Sequence, residues 1–378
     1  MAENNKIFII AGETSGDLHA SHLIKNIKSK FNNISFYGIG GRNLKSNGVK
    51  LIFNYEELNY IGFGSVLKNI LKLKKIFNST LTEIRKINPD IVILVDFPGF
   101  NLRIAKRLSK FYKGKIIYYI SPQLWAWHKS RVSIIRNSID RILVVFPFEV
   151  DFYKKEGIEA DFVGHPLKEK ITNFLNSNKK EKKDKIQITL LPGSRLEEIK
   201  KILPIMSDAA IKLKNKFNAN LNILCSENID ISLIHDIIDT TSFNIFKKNN
   251  ADDEINYKTI FDSDFVITKS GTSTLECCLL EAPFCLVYNT SYFNYLIARA
   301  LITVKYLSIV NILAQKEVVK EFIQQDFNSE NIFNEGVNII TNIKYSETMK
   351  DNFGTIRNNL FNKQIDSKAE DIICKYLR

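Results

Sequence analysis

Residues Asp264 to Pro283 read DFVITKSGTSTLECCLLEAP, which is a strand, a sharp turn and a helix in succession. Phe265-Val266-Ile267 forms the apolar strand, Ser270-Gly271-Thr272-Ser273-Thr274 the turn of small residues, and the helix runs on toward Pro283. A helix start leaves about four backbone N–H groups without partners and carries a partial positive charge, so a turn this small lets an anion come close. Gly271 permits the turn, and the hydroxyls of Ser270, Thr272, Ser273 and Thr274 add donors. Glu276 falls one turn inside the helix, within reach of the sugar hydroxyls of the same ligand. The pattern Ser273-x-x-Glu276 is equally a capping box, in which Glu276 satisfies a backbone donor, and both readings stand at this point.

The same strand-turn-helix unit recurs on either side. Lys6 to Ala11 runs into Gly12-Glu13-Thr14-Ser15-Gly16-Asp17 and a helix to about Lys30. Ser35 to Ile39 ends in Gly40-Gly41. Asp90 to Asp96 is a continuous apolar strand of the kind buried in a parallel sheet, with Asp96 at its C-terminal end. Lys115 to Ile120 leads into Ser121-Pro122-Gln123-Leu124-Trp125-Ala126-Trp127-His128, and Arg141 to Val145 into Phe146-Pro147-Phe148-Glu149. Beyond a charged stretch without apolar side chains, Asn176 to Lys185, a second series begins. Ile188 to Leu191 ends in Pro192-Gly193-Ser194-Arg195, and Leu221 to Cys225 and Cys285 to Tyr288 flank the 264–283 unit. Two such series joined by a solvated linker predict an α/β protein of two Rossmann-like domains, their parallel sheets facing a central cleft. The expected bounds are 1–170 and 180–345, followed by a helical tail.

A chain of 378 residues, 45% hydrophobic, is long enough for two cores. The five cysteines show no C-x-x-C spacing and lie in apolar surroundings, which predicts reduced thiols and a cytosolic setting. Met1 to Asn5 is polar and the apolar run Ile7 to Ala11 is too short for a signal peptide or a membrane span. A formal charge of +12 calls for an anionic partner. From Phe63 to Phe77 an amphipathic helix places Phe63, Val66, Leu67, Ile70, Leu73 and Phe77 along an apolar stripe, with Lys68, Lys72 and Lys75 beside it. Such a helix fits an anionic membrane surface, apolar face down, or an ordinary helix packed on its own core.

Pro192-Gly193-Ser194-Arg195 sets a guanidinium and a hydroxyl beside a helix start, and the planar fork of arginine suits a diphosphate. Gly193, Ser194 and Arg195 therefore join the 270–274 turn as one candidate anion site, both loops lying at C-terminal strand ends. No G-x-x-x-x-G-K-[ST] pattern occurs, which argues against a P-loop ATPase. In the first half Glu13, Asp17, His19 and Asp96 are the titratable candidates at strand ends. Pro98 and Gly99 fix the backbone after Asp96, so its carboxylate suits a general base; the other reading makes it a helix cap or a lysine partner. His128 and His165 fit an anion contact or a satisfied loop. No His, Cys, Asp or Glu trio has zinc-ligand spacing, so no metal is expected.

These turns, taken together and in order, resemble one family. They are Ala11 to Asp17, Asp96-Phe97-Pro98-Gly99-Phe100-Asn101, Ser121 to Trp127, Leu191 to Arg195, Ser270 to Glu276 and Asn311-Ile312-Leu313-Ala314. The chain is similar to the lipid A disaccharide synthases. The resemblance implies a GT-B glycosyltransferase that joins UDP-2,3-diacylglucosamine to 2,3-diacylglucosamine 1-phosphate, releasing UDP. It further implies a peripheral enzyme of the cytoplasmic face of the inner membrane that needs no cofactor. Carried over by position, Arg195, the 270–274 turn, Glu276 and Asn311 would hold UDP. Glu13, Asp17 and Asp96 would face the acceptor, with Asp96 as base in a single inverting displacement. By analogy with GT-B proteins, a final helix over about 350–378 would return to the first domain.

Two other classes are weighed beside it. A GT-B nucleotide-sugar epimerase shares the diphosphate turn but needs no acyl-binding surface. A basic RNA-binding or membrane-binding protein would account for the charge, yet both tryptophans sit in one sheet-end turn and not among lysines, which argues against nucleic acid.

Overall fold

The computed structural model describes residues 5–31, 33–59, 66–126, 131–180, 183–248, 254–290, 304–365 and 367–377. The chain divides into two compact units, one of residues 1–166 with 363–378, the other of residues 167–362.

The first unit is built on seven parallel strands: β1 Asn5–Ala11, β2 Ile34–Gly40, β3 Lys50–Asn54, β4 Ile91–Val95, β5 Lys115–Tyr119, β6 Arg141–Val144 and β7 Ala160–Phe162, in the order β3-β2-β1-β4-β5-β6-β7. Side chains alternate across a strand, and here both faces are covered. Phe8, Ile10, Val92, Leu94, Ile116 and Tyr118 belong to one buried cluster, while Ile7, Ile9, Ile91, Ile93, Val95 and Ile117 belong to another. That double burial is why β1 and β4 read as unbroken apolar runs.

The helix Ala369–Cys374 returns to this unit, packed near the helix Thr14–Lys30, with Lys30 paired to Glu370 at 3.8 Å and to Asp371. The preceding helix, Ile343–Phe361, belongs to the second unit, where Phe353 stacks on Phe284 at 5.6 Å. The stretch about 350–378 is therefore two elements with different homes.

The second unit repeats the design with six parallel strands. They are β8 Gln187–Leu191, β9 Asn220–Cys225, β10 Phe243–Lys247, β11 Phe265–Lys269, β12 Phe284–Tyr288 and β13 Glu321–Ile323, in the order β10-β9-β8-β11-β12-β13. The helix Leu167–Ser177 packs in this unit although it precedes the charged stretch at 176–185, because Phe174 meets Tyr257 and Phe261 edge-on at 5.7 and 5.6 Å. An aromatic anchor outweighs the polar composition of the neighbouring segment in setting where the units divide.

The helix expected over 63–77 runs from Val66 to Ile87. Leu73 and Phe77 do not form an outward apolar stripe: both pack against the core, and Phe77 meets Phe100 edge-on at 5.8 Å. With Ile76 buried between them, they supply the helix's attachment to its own sheet. Leu71, Lys72, Lys74 and Lys75 face outward, and Leu71 is 71% exposed. Phe63 lies outside the described residues, and Val66, Leu67, Lys68 and Ile70 belong to the part of the helix whose side chains are not described.

Candidate functional site

In an open parallel sheet, ligands gather beyond the C-terminal strand ends at the point where strand order reverses. Each sheet has one such point. In the first it falls between β1 and β4, which are distant in sequence but paired Ala11 to Val95. In the second it falls between β8 and β11, paired Leu191 to Thr268. Four of the turns singled out in the sequence follow these strands: 12–17 after β1, 96–101 after β4, 192–195 after β8 and 270–274 after β11.

At the β1/β4 ends, Asp96 and Phe97 both adopt left-handed backbone, φ 45° and 49°. Two successive non-glycine residues in that region cost about 1–2 kcal/mol each. The cost is offset by local bonds: the Asp96 carbonyl accepts from the Tyr118 hydroxyl at 2.5 Å and from Asn101 Nδ2 at 2.8 Å. The Phe97 ring covers Gly12 so closely that an added Cβ would lie 2.2 Å from it, so this position requires glycine. The kinked backbone leaves Asp96 half-buried at the strand end. Burial, and next the charge of Glu13, push its carboxyl up to about 7 against the opposing Phe97 N–H, with Glu149 adding to the rise.

Glu13 is the N-cap residue of the helix Thr14–Lys30, yet its side chain makes no capping bond. Asp17 has a different task. Its carboxylate accepts from the backbone N–H groups of Gly41, Asn43 and Leu44 at 2.6, 3.0 and 3.3 Å, capping the short helix Arg42–Ser46. Buried and so engaged, it ties the β1 turn to the β2 turn.

Glu149 emerges as a third carboxylate of this end. It lies in the first turn of the helix Pro147–Lys155 after β6, fully buried, and accepts from Ser121 Oγ at 2.7 Å, Trp125 Nε1 at 3.1 Å and the Phe146 N–H at 3.1 Å. Burial pushes it up to about 7 against those hydrogen bonds. Its sequence signal was only a Glu two residues after a helix-starting Pro. His165 is pushed down to about 3 by burial and then by His19, so it is neutral near pH 7. Trp127 and His128 lie outside the described residues.

At the β8/β11 ends the charge is reversed. Gly193 has φ 100°, and the loop after β8 is braced by Asn228 Nδ2, which donates to the Ser194 carbonyl at 2.9 Å. Arg195 is the N-cap of the helix Leu196–Phe217 and reaches Glu198 Oε1 at 3.4 Å. Lys269, the last residue of β11, meets Glu198 Oε2 at 2.7 Å. The helix Thr272–Leu279 starts on Gly271 with no side-chain cap, so Ser273 and Glu276 do not form the capping box. Ser270, Gly271, Thr272 and Ser273 are exposed or half-buried around that start. Thr274 is buried and donates to the Gly271 carbonyl at 2.7 Å, holding the turn from behind. Glu276 pairs with Lys248 at 3.0 Å.

Asn311 is fully buried: Nδ2 donates to the Val319 carbonyl and to Glu321 Oε1 at 2.9 and 2.7 Å, and Oδ1 accepts from the N–H groups of Val318 and Val319. Its side chain organises the loop into β13 instead of lining a surface. Sequence reasoning missed Lys269, Glu198 and Lys248; the only available signal was that two of them follow or end strands. Among the described residues no group of three or more His, Cys, Asp or Glu is placed to hold a metal ion. Among them, too, no helix is long and apolar enough to cross a membrane.

The comparisons with known proteins give the family and the fold. A family model described as Lipid-A-disaccharide synthetase matches residues 7–375. "Lipid-A-disaccharide synthase 1" of Legionella pneumophila (strain Paris) is 34% identical over 99% of this chain and 98% of its own length. "Lipid-A-disaccharide synthase" of Geobacter sulfurreducens is 31% identical over 100% of this chain and 99% of its own. Among solved structures, a UDP-GlcNAc 2-epimerase from Neisseria meningitidis bound to UDP-GlcNAc superimposes with TM-score 0.64 at 14% identity, covering 98% of each chain. The calicheamicin glycosyltransferase CalG4 does so with TM-score 0.59 at 12% identity, covering 100% of this chain and 98% of that one. At such identities these structures speak for the two-domain GT-B fold alone.

Proposed function

The chain belongs to the lipid-A-disaccharide synthetase family, and from that premise we propose that it condenses UDP-2,3-diacylglucosamine with 2,3-diacylglucosamine 1-phosphate. The products are a β-1,6-linked disaccharide 1-phosphate and UDP. The second unit takes the nucleotide: the 272–273 amides at an uncapped helix start and the Arg195 guanidinium meet the diphosphate, and Glu276 meets the ribose. The first unit takes the acceptor.

In the reaction Asp96 accepts the proton of the acceptor 6-hydroxyl as that oxygen bonds to the anomeric carbon on the face opposite the diphosphate. The C1–O bond breaks in the same step and its electron pair leaves with UDP. Inversion follows from the single displacement. A base near the working pH is well matched to this transfer, and UDP needs no second carboxylic acid to leave, in contrast to glycoside hydrolysis. Donors at the helix start and Arg195 stabilise the charge growing on the diphosphate, each contributing roughly 3 kcal/mol in comparable sites. The outward Leu71, Lys72, Lys74 and Lys75 contact an anionic membrane on its cytoplasmic face, where acylated sugars reside.

The observation that carries this reading is Asp96 itself, held at the β1/β4 ends on a strained backbone with its carboxyl raised to about 7. The test measures UDP release with one or both acylated sugars supplied. Release only with both, abolished in Asp96→Asn while UDP still binds, supports the assignment; turnover of UDP-sugar without acceptor points to an epimerase.

A further inference from the structure

The cationic end of the second sheet contains an ion-pair arrangement that the reaction above leaves unused. The stem of Lys269 lies against Gly193, where an added Cβ would come 3.3 Å from Lys269 Cδ. Its ammonium reaches Glu198 Oε2 at 2.7 Å, while Arg195 Nη1 approaches Oε1 of the same carboxylate at 3.4 Å. Two cations from two different loops thus converge on one anion beside the start of the helix Thr272–Leu279. Lys269 and Glu198 are largely buried, at 18% and 27% exposure, whereas Arg195 is 57% exposed. Tyr288, at the end of β12, feels the charges of both Glu198 and Arg195, which places a third strand end in the same neighbourhood.

The pair of Lys269 and Glu198 is close but poorly directed: Glu198 Oε2 is buried and finds no hydrogen bond of good geometry. A contact of that kind holds its strength in charge more than in direction, and so yields readily to a stronger anion. A nucleoside diphosphate brings at least two negative charges, more than one arginine neutralises, and lysine serves phosphate as a compact point charge.

We propose that Lys269 is a second diphosphate-binding cation and that Glu198 is its exchangeable counter-ion, which keeps Lys269 and Arg195 ordered and gives them up when the diphosphate arrives. The inference rests on reading this loop pair as the UDP site. Its consequence is a pair of opposite effects. Removing the Lys269 charge weakens the diphosphate, and removing the Glu198 charge strengthens it, because the incoming anion no longer competes with a carboxylate.

The experiment titrates UDP and uridine into the full-length protein and its variants, followed by ligand-observed NMR. Lys269→Met is expected to weaken UDP by about tenfold or more, the range of a lost charged hydrogen bond, and to leave uridine within about twofold. Lys269→Arg is expected to retain most of the affinity, and Glu198→Gln to tighten UDP severalfold. Equal losses for UDP and uridine in Lys269→Met would make Lys269 a brace between loops and overturn the inference, as would looser UDP binding in Glu198→Gln. Arg195→Ala separates the two levels. If Arg195→Ala weakens UDP and Lys269→Met does not, the inference fails and the UDP site stands; if neither variant matters, the site reading itself fails.

Discussion

The two sheets of this protein share one topology and carry opposite charge at the corresponding place. Where strand order reverses in the first unit, Glu13 and Asp96 follow β1 and β4, and Glu149 lies after β6. Where it reverses in the second, Arg195 and Lys269 stand at the ends of β8 and β11, with Glu198 between them. A parallel sheet of either order delivers backbone and side chains to its C-terminal edge regardless of chemistry. The difference teaches that the fold supplies the places and a few charged side chains decide whether a place is acidic or cationic.

The comparison is broken most severely at Asp96. Asp96→Asn is expected to lower kcat by about 10²- to 10⁴-fold, the range for loss of a general base, while UDP affinity stays within about twofold. Steady-state kinetics beside a binding titration checks both halves, and a variant with near-normal kcat removes Asp96 from the mechanism.

The acidity of the first site gives a sharper, smaller effect. With its carboxyl raised to about 7, Asp96 in the proposed role of base must be ionised to act, so kcat/KM should climb about tenfold per pH unit below that value and level off above it. Glu13 contributes more to the rise than Glu149 does, so Glu13→Gln should move the acid limb further toward low pH than Glu149→Gln. Limbs that stay in place in both variants would mean that another group sets the profile.

Stability offers an independent measure of the same carboxyl. A folded-state value raised from 3.8 to about 7 means that the native protein favours protonated Asp96. Its stabilising contribution is complete below about pH 4 and is lost as pH rises through 7. Asp96→Asn, which does not titrate, should therefore gain in Tm relative to the parent between pH 4 and pH 8. A constant difference across that window would show that the group is not perturbed by folding.

The smallest effect is expected on the outer face of the helix Val66–Ile87. Replacing Lys72, Lys74 and Lys75 by Glu should weaken binding to anionic vesicles, each charge contributing about 1 kcal/mol at the surface, with turnover of detergent-dispersed substrates little changed. Replacing Phe77 by Ala should instead lower Tm by several degrees, since Phe77 fills core space against Phe100.

Much of the fold was legible because the central strands are covered on both faces. β1 and β4 read as continuous apolar runs, β8 and β11 as mostly apolar ones that each bury a threonine, Thr189 and Thr268, and each strand that escaped the sequence reading lies at a sheet edge: β3, β7, β10 and β13. Edge strands are half-exposed, and these are short and mixed in polarity, as in Ala160–Phe162 and Glu321–Ile323. The helix over 63–77 stayed open between two readings for a related reason. Its apolar stripe is real, but periodicity alone does not say whether a stripe meets a membrane or the chain's own sheet. The solved structures that share the fold include UDP-GlcNAc 2-epimerases as well as a glycosyltransferase, so the shape of the chain leaves the reaction open where the sequence family does not.

By itself the sequence determined that two parallel sheets form, that small-residue turns follow their central strands, and that an acid and an arginine stand in those turns, because burial periods and helix-start chemistry are local properties. Only the tertiary structure decided what each polar side chain does. Asp17 and Asn311 are drawn into backbone hydrogen bonds, Glu149 is brought to the neighbourhood of Asp96 from over fifty residues away, and Lys269 finds Glu198 across two loops. Hydrogen bonding and desolvation depend on neighbours in space, and those neighbours exist only once the strands have taken their order in the sheet.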